Sequence, residues 1–277
     1  MTSLNALADK YEISSFMEQD PSQFLHWYDK EPYLSAATKT ACTELASFIA
    51  AMLAFGNRRQ FIPKIQLVLT NADKAGGNIL EWLKTAGYKK SFPTGCQKFY
   101  RFYSYDDMHT FFAELADIIR VQESLGQYFK SKWEEAASTH TTTNNRATLP
   151  LLADIISEAF PKSKIVPKGR TSANKRIHMF LRWMVRTGSP VDLGLWTWYP
   201  ASQLIIPLDT HVLQEAQKLG LLPPNATAGR KTAITLTKAM EQIFPGDPCR
   251  ADYALFGLGV SAPSLRGASA TKQSMTY

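Results

Sequence analysis

The sequence lacks the features that would place it in a membrane or in a disulfide-bonded class. No run approaches the roughly 20 uninterrupted apolar residues that a membrane-spanning helix needs. Residues 1–16 lack a basic start followed by an apolar stretch, so we expect a cytoplasmic protein. Cysteine is also scarce. Cys42, Cys96 and Cys249 are odd in number and have no close pair spacing, which argues against a disulfide framework or a cysteine-rich metal site and predicts buried free thiols.

Acidic residues are missing from one long stretch. The chain of 277 residues has a formal charge of +7, and no Asp or Glu lies between Glu158 and Asp192. A second basic group surrounds Arg58, Arg59 and Lys64. A charge run is usually a solvated face, but aromatic and apolar residues interrupt this one, which favours a nucleic-acid surface. The basic residues of the stretch are Lys162, Lys164, Lys168, Arg170, Lys175, Arg176, Arg182 and Arg186.

Alternating strand patterns are absent as well, and apolar residues recur with helical spacing instead. This pattern predicts an all-α fold with no clear strand. The predicted helices are Thr40–Ala54, Phe61–Asn71, Met108–Val121, Leu151–Phe160, Lys175–Arg186, Asp209–Leu219 and Lys231–Phe244.

A polar, β-branched segment at Ser138–Asn145 is too poor in large apolar residues to pack, and it divides the chain into two helical lobes. The predicted organisation is an N-terminal helical extension at 1–38, a first lobe at 39–137, a linker at 138–148, a second lobe at 149–260 and a flexible tail at 261–277.

The stretch from Val166 to Val185 combines a turn with a helix start. Pro167 and Gly169 favour the turn, and Asn174 is one of three residues that could cap the helix. Backbone N–H groups at a helix start suit a phosphate oxygen. We therefore expect Lys168, Gly169, Arg170 and Arg176 to contact nucleic-acid phosphates.

Lys175 lies close to the start of this predicted helix. The neighbouring Arg176, the helix dipole and partial burial are all expected to disfavour its charged form, which would make the amine nucleophilic. A lysine by itself is more often a surface residue that contacts phosphate or solvent. The catalytic interpretation therefore needs a partner.

Asp209 is the candidate partner. Pro207 ends an apolar run, and Asp209 opens the next predicted helix at a natural N-cap position. Capping alone, worth about 1 kcal/mol, would explain an aspartate there. Capping and a catalytic role are compatible at this position.

The segment Pro207-Leu-Asp-Thr-His-Val212 resembles the aspartate motif of the helix-hairpin-helix (HhH-GPD) DNA glycosylase superfamily. Phe244–Gly259 is similar to the closing helix of that fold, and Ile49–Gln60 to its helix and DNA-inserting loop. The matched segments span roughly residues 40–260. The turn at Pro167–Gly169, which corresponds to the hairpin of that superfamily, has a single glycine, Gly169, and Lys175 precedes Asp209 by 34 positions. Both features resemble the archaeal-type branch of 8-oxoguanine glycosylases and a related bacterial family of uncharacterised proteins.

The resemblance implies a two-lobed fold with its active site in the cleft between the lobes. Asp209 would stabilise the developing positive sugar while the Lys175 amine attacks the anomeric carbon, expels oxidised guanine and forms a Schiff base. Elimination of the 3′ phosphate can then nick the strand, which is AP-lyase chemistry. We expect a monomer in the bacterial cytoplasm, associated with the nucleoid, acting on damaged double-stranded DNA.

The chemistry requires neither metal nor organic cofactor, and the four cysteines of the superfamily's iron–sulfur cluster are missing here. One of four aromatic residues would stack on the extruded base in its pocket. These candidates are Phe180, Trp183, Trp196 and Trp198. The remaining expected DNA contacts are Asn57, Arg58, Arg59, Gln60 and His211.

Three alternatives stay open. Gly229–Ala233 also looks like the hairpin motif, but Lys231 follows Asp209, whereas the superfamily's lysine precedes its aspartate. A non-catalytic protein could use the same hairpin to hold phosphates. An α-helical RNA-binding protein would explain the basic stretch but not the Asp209 motif.

Overall fold

A computed structural model describes residues 3–139 and 150–261, and this part of the chain is mostly helical, as predicted. Most of the predicted linker, and the predicted tail beyond Ser261, lie outside the described residues. The α-helices are α1 Leu4–Tyr11, α2 Ala36–Leu53, α3 Arg58–Gly76, α4 Ile79–Lys84, α5 Tyr88–Ser91, α6 Tyr105–Val121, α7 Leu125–Thr139, α8 Leu152–Glu158, α9 Lys175–Val185, α10 Thr210–Lys218, α11 Arg230–Glu241 and α12 Ala251–Ser261. Short 3-10 helices are Ser14–Gln19, Pro21–His26, Ala201–Gln203 and Pro248–Arg250.

The seven helices predicted from apolar spacing are confirmed. They correspond to α2, α3, α6, α8, α9, α10 and α11, with ends that differ by a few residues. Side chains that the sequence offers as caps define several of these ends. Asn57 accepts from the backbone N–H of Arg59, and Ser104 forms a capping box with Asp107 at the start of α6.

The prediction that the chain has no strand is wrong at one place. β1 (Lys98–Tyr100) and β2 (Tyr103–Ser104) form an antiparallel hairpin, with Lys98 opposite Ser104 and Tyr100 opposite Tyr103. The strands are too short to show alternation, and their turn lacks the Asn-Gly or Gly-Gly pair that marks a tight hairpin.

The centre of the fold is α2, whose residues 41–53 are all buried. A helix that is buried on every side must be surrounded by other elements. It contacts α3, α4, α7 and α9 and the 3-10 helix Pro21–His26. One continuous cluster of buried apolar residues therefore joins the helices before the linker to those after it.

The N-terminal segment packs against the last helix. α1 lies along α12, and α12 also contacts α10. The first and the last helix of the described chain therefore pack against each other. No helix among residues 3–139 and 150–261 is long and apolar enough to cross a membrane.

The cysteines follow the prediction only in part. Cys42 and Cys249 are buried free thiols, but Cys96 is exposed. Cys96 lies in a short bend before β1, where its side chain is open to solvent.

Candidate active site

A cleft of about 1130 Å³ opens between the α2–α3 junction and the group formed by α9, α10 and α12. This volume exceeds that of many small-molecule pockets, which span roughly 300–1,000 Å³. Lys175 and Asp209 both line this cleft.

Lys175 is the first residue of α9. The preceding Asn174 adopts a left-handed conformation, with φ of 44°, and its side-chain amide donates to the carbonyl of Gly169 at 3.0 Å. This bond ties the turn at Gly169 to the helix start. It fixes the direction in which the first turn of α9 faces the cleft.

The Nζ atom of Lys175 lies 3.7 Å from Oδ2 of Asp209. The side chains remain 29% and 23% exposed, so solvent and a ligand can both reach them. The distance is longer than a direct hydrogen bond of about 2.7–3.2 Å. The structure thus brings together two residues that are 34 positions apart, as a loose ion pair in an open cleft.

Asp209 also caps α10. Its Oδ1 atom accepts from the backbone N–H groups of His211 and Val212, each at 2.9 Å. The two oxygens therefore have separate roles: Oδ1 is held by the helix start and Oδ2 faces Lys175. The capping role and the position beside the amine coexist, as the sequence analysis considered.

The walls around the amine are apolar and aromatic. The sulfur of Met179 lies 3.6 Å from the Nζ atom of Lys175, and the ring centre of Phe256 lies 5.9 Å from it. The guanidinium of Arg58 is 5.3 Å from the same ring and 3.5 Å from Asp20. A planar ligand that enters beside Lys175 would meet these surfaces.

Asp252 is a cleft residue that the sequence analysis missed. It lies on α12 and is buried, with Arg182 as its ion-pair partner. Burial raises the pKa of Asp252 to about 6, with Asp209 adding to the shift while Arg182 opposes it. The segment Phe244–Gly259, which resembles a closing helix, contains both Asp252 and Phe256, but their spacing alone does not show which way they face.

The predicted DNA contacts fall into three groups. Arg58, Arg176 and His211 line the cleft with Lys175, while Asn57, Arg59 and Gln60 are exposed at the start of α3. A separate, smaller depression contains Lys168, Gly169 and Arg170.

The predicted base-stacking residues do not reach the cleft. Phe180, Trp183 and Trp196 are fully buried, and Phe180 packs edge-to-face on Trp196 at 5.2 Å. Trp198 is partly exposed but stacks on Trp196 at 5.6 Å. None of the four lines the cleft that holds Lys175, because three of these rings lie in the core and that of Trp198 packs against it. Met179 and Phe256 occupy the walls instead.

The acid-free stretch does not give a uniformly basic surface. Arg182 and Arg186 are buried and pair with acidic residues outside the stretch. Arg182 contacts Asp192 at 3.3 Å and also Asp252. Arg186 contacts Asp247 at 2.8 Å, Glu12 at 2.9 Å and also Asp192.

Other charges of the stretch are also engaged. Arg170 pairs with Glu158 at 2.9 Å, and Lys164 lies 3.4 Å from Asp107. The Nζ atom of Lys168 donates to the carbonyl of Ser157 at 2.9 Å and to that of Phe160. The charge available to a ligand is therefore smaller than the sequence suggests, because carboxylates outside the stretch and backbone carbonyls engage these basic side chains.

The fold and site define an α-helical protein with a partly exposed lysine–aspartate pair in a cleft. A family model described as "Protein of unknown function (DUF2400)" matches residues 20–261, and the chain belongs to this family. The match includes Lys175, Asp209 and Asp252. Comparison with curated proteins and with solved structures gives no match.

Proposed function

We propose that this protein is a DNA glycosylase of the helix-hairpin-helix type that removes oxidised guanine through a covalent lysine intermediate. The observation that supports it is the approach of the Lys175 amine to within 3.7 Å of Asp209 in an open cleft. The two residues occupy the positions and the order that the resemblance assigns to nucleophile and carboxylate. In this proposal, α8, the turn at Gly169 and α9 would take the place of the hairpin element, and the cleft would take the place of the groove between two lobes.

The chemistry follows from the pair. As the bond between sugar and base breaks, positive charge develops on the sugar, and the carboxylate of Asp209 would stabilise it. The neutral amine of Lys175 then attacks the anomeric carbon, and the electron pair of the broken bond leaves with the base, which takes up a proton. The amine loses a proton and the bond between the anomeric carbon and the sugar ring oxygen breaks, so that the ring opens, its oxygen becomes a hydroxyl and a Schiff base forms. β-Elimination from this adduct would release the 3′ phosphate and nick the strand.

The base needs a pocket outside the duplex. Met179 and Phe256 offer apolar surfaces close to Lys175, and the buried Asp252 offers a polar group that also lines the cleft. An oxidised purine presents both a flat face and hydrogen-bonding edges, so it suits this combination of walls.

Borohydride trapping tests the proposal directly. Duplexes with 8-oxoguanine, and with deaminated or alkylated bases for comparison, are incubated with the wild type and reduced. We expect a covalent protein–DNA adduct, strongest with 8-oxoguanine, and none with Lys175→Gln. Lys231→Gln is the matched control, because Lys231 is exposed on α11 and does not line the cleft, so its adduct should persist.

Three outcomes contradict the proposal. Lesion binding without any adduct would indicate a non-catalytic DNA-binding protein. Preference for structured RNA over duplex DNA would indicate an RNA-binding protein. Full trapping by Lys175→Gln would show that Lys175 is not the nucleophile, and Lys231 and Lys168 would be tested next.

A further inference from the structure

The hairpin of β1 and β2 presents an aromatic ring at its tip. Phe102 is 68% exposed, within the turn formed by Arg101 and Phe102. A single exposed apolar residue is ordinary on a protein surface and proves nothing alone. The position of Phe102 suggests a role, because the tip of the hairpin lies beside the cleft.

The hairpin tip touches the junction between α2 and α3. The ring centres of Phe102 and Phe55 are 5.3 Å apart, and Phe55 lines the cleft. The hydroxyl of Tyr100 donates to the carbonyl of Phe55. Gly56 has a φ of 84°, a backbone conformation that favours glycine, and a Cβ atom there would lie 2.4 Å from a guanidinium nitrogen of Arg101.

The same contacts connect the tip to the nucleophile. Arg176 follows Lys175 directly, and its guanidinium lies 4.9 Å from the ring of Phe55. It also donates to the hydroxyl of Tyr103 on β2 at 3.3 Å. Phe102 therefore stands at the rim of the cleft that holds Lys175.

Rigid supports hold the exposed ring in place. Tyr100 and Tyr103 are only 5% and 2% exposed, and both pack edge-to-face on Phe55 at 5.1 and 5.3 Å. Phe102 itself lies 4.6 Å from the ring of Tyr103. A ring fixed in this way loses little conformational entropy when it binds.

The charges nearby suit a phosphate backbone. Arg101 lies 5.6 Å from the Phe55 ring, and Lys64 lies 5.0 Å from the ring of Phe99 on β1. Asn57, expected from the resemblance to enter the DNA, uses its side-chain oxygen to cap α3. Phe102, in contrast, is an apolar side chain at this rim that is open to solvent.

We propose that Phe102 is a wedge that enters the base stack of duplex DNA where a nucleotide has been extruded into the cleft, with Arg101 on the adjoining phosphate. Extrusion leaves the neighbouring bases unstacked, and an inserted apolar side chain replaces the lost stacking. This inference rests on the proposed function for the extruded nucleotide, but it concerns a separate surface and can be tested without catalysis.

The test uses a duplex with a tetrahydrofuran abasic analogue, which leaves a permanent gap in the stack, and the same duplex fully paired. A 2-aminopurine next to the gap reports on stacking. Fluorescence anisotropy measures both affinities. We expect Phe102→Ala to weaken binding to the gapped duplex about tenfold, since stacking on one base gives an effect of this order. Binding to the paired duplex should change less than about twofold.

Two variants sharpen the result. Phe102→Trp should restore both the affinity for the gapped duplex and the 2-aminopurine signal of the wild type. Tyr33→Ala is the matched control, because Tyr33 is 94% exposed but does not line the cleft, and it should bind both duplexes like the wild type.

The wedge is overturned if Phe102→Ala binds the gapped duplex as tightly as the wild type, or loses affinity equally for both duplexes. If the wild type traps a lesion while Phe102→Ala shows no selective loss, the wedge fails and the glycosylase proposal stands. A selective loss without any trapping supports the wedge and refutes the catalytic proposal. A wild type that binds neither duplex refutes both.

Discussion

The two ends of α9 place basic side chains of similar chemistry in opposite environments. At its start, Lys175 is partly exposed and lies 3.7 Å from one carboxylate. At its end, Arg182 and Arg186 are buried and contact several carboxylates each. A loose pair in an open cleft contributes little to stability and leaves the amine available. Removing one member of a buried network lowers the free energy of unfolding strongly, because the remaining partners are left as buried, unpaired charges.

The largest expected effect is on stability, at the buried end. Arg186→Met should lower the free energy of unfolding by roughly 3–5 kcal/mol, since Asp192, Asp247 and Glu12 would lose a shared partner. Urea unfolding at pH 7 measures it. Arg170→Met removes an exposed ion pair with Glu158 and should change the free energy of unfolding far less than Arg186→Met does. Equal losses for both variants would erase the contrast between the two environments.

The second effect depends on pH. His178 is fully buried on α9, and burial, with a smaller contribution from Arg230, lowers its pKa to about 4. An unfolded histidine titrates near 6.5, so the unfolded chain binds the proton first as the pH falls. His178 should therefore reduce stability progressively between pH 6.5 and 4, by on the order of 3 kcal/mol in total.

His178→Leu removes this group, so unfolding curves of the variant should show a weaker loss of stability on acidification. The contributions of all other groups cancel in the difference between the two proteins. Parallel curves from pH 6.5 to 4 would mean that His178 accepts its proton inside the folded protein.

The smallest effect on stability is expected at the cleft. Lys175→Gln and Asp209→Asn should each change the free energy of unfolding by less than about 1 kcal/mol, because the pair is exposed and asparagine also caps helices. Asp209→Asn should nevertheless abolish base release, measured as excised base from a lesion-containing duplex. Asp209→Ala should cost about 1 kcal/mol through the lost cap. Unchanged turnover of Asp209→Asn would leave Asp209 with its capping role alone.

This contrast also explains what could be predicted from the sequence. Helices such as α2 and α9 follow from apolar spacing, and Asp209 from its motif and cap position. The environments of Arg182 and Arg186 depend on carboxylates as far away as position 252 and position 12, and no local pattern reveals them. The charge of the basic stretch was therefore overestimated.

The pocket walls were missed for a related reason. Phe180 and Met179 are adjacent on α9, and only three-dimensional packing decides that Phe180 faces the core and Met179 the cleft. The β1–β2 hairpin had a sequence signal that could have predicted strands, since the segment from Lys98 to Ser104 is rich in Phe and Tyr, which favour strands. Its strands of three and two residues were too short for that preference to decide the prediction.

The pairing of Glu12 with Arg250, at 2.9 Å, joins positions that are 238 residues apart. Contacts of such long range form late, because closing a long loop costs entropy before any contact compensates for it. During synthesis, α9 and Lys175 leave the ribosome well before α12, which supplies Asp252 and Phe256 to the cleft. The Lys175 amine is therefore synthesised before the cleft wall that Asp252 and Phe256 form, and the complete cleft exists only once α12 has packed against α10.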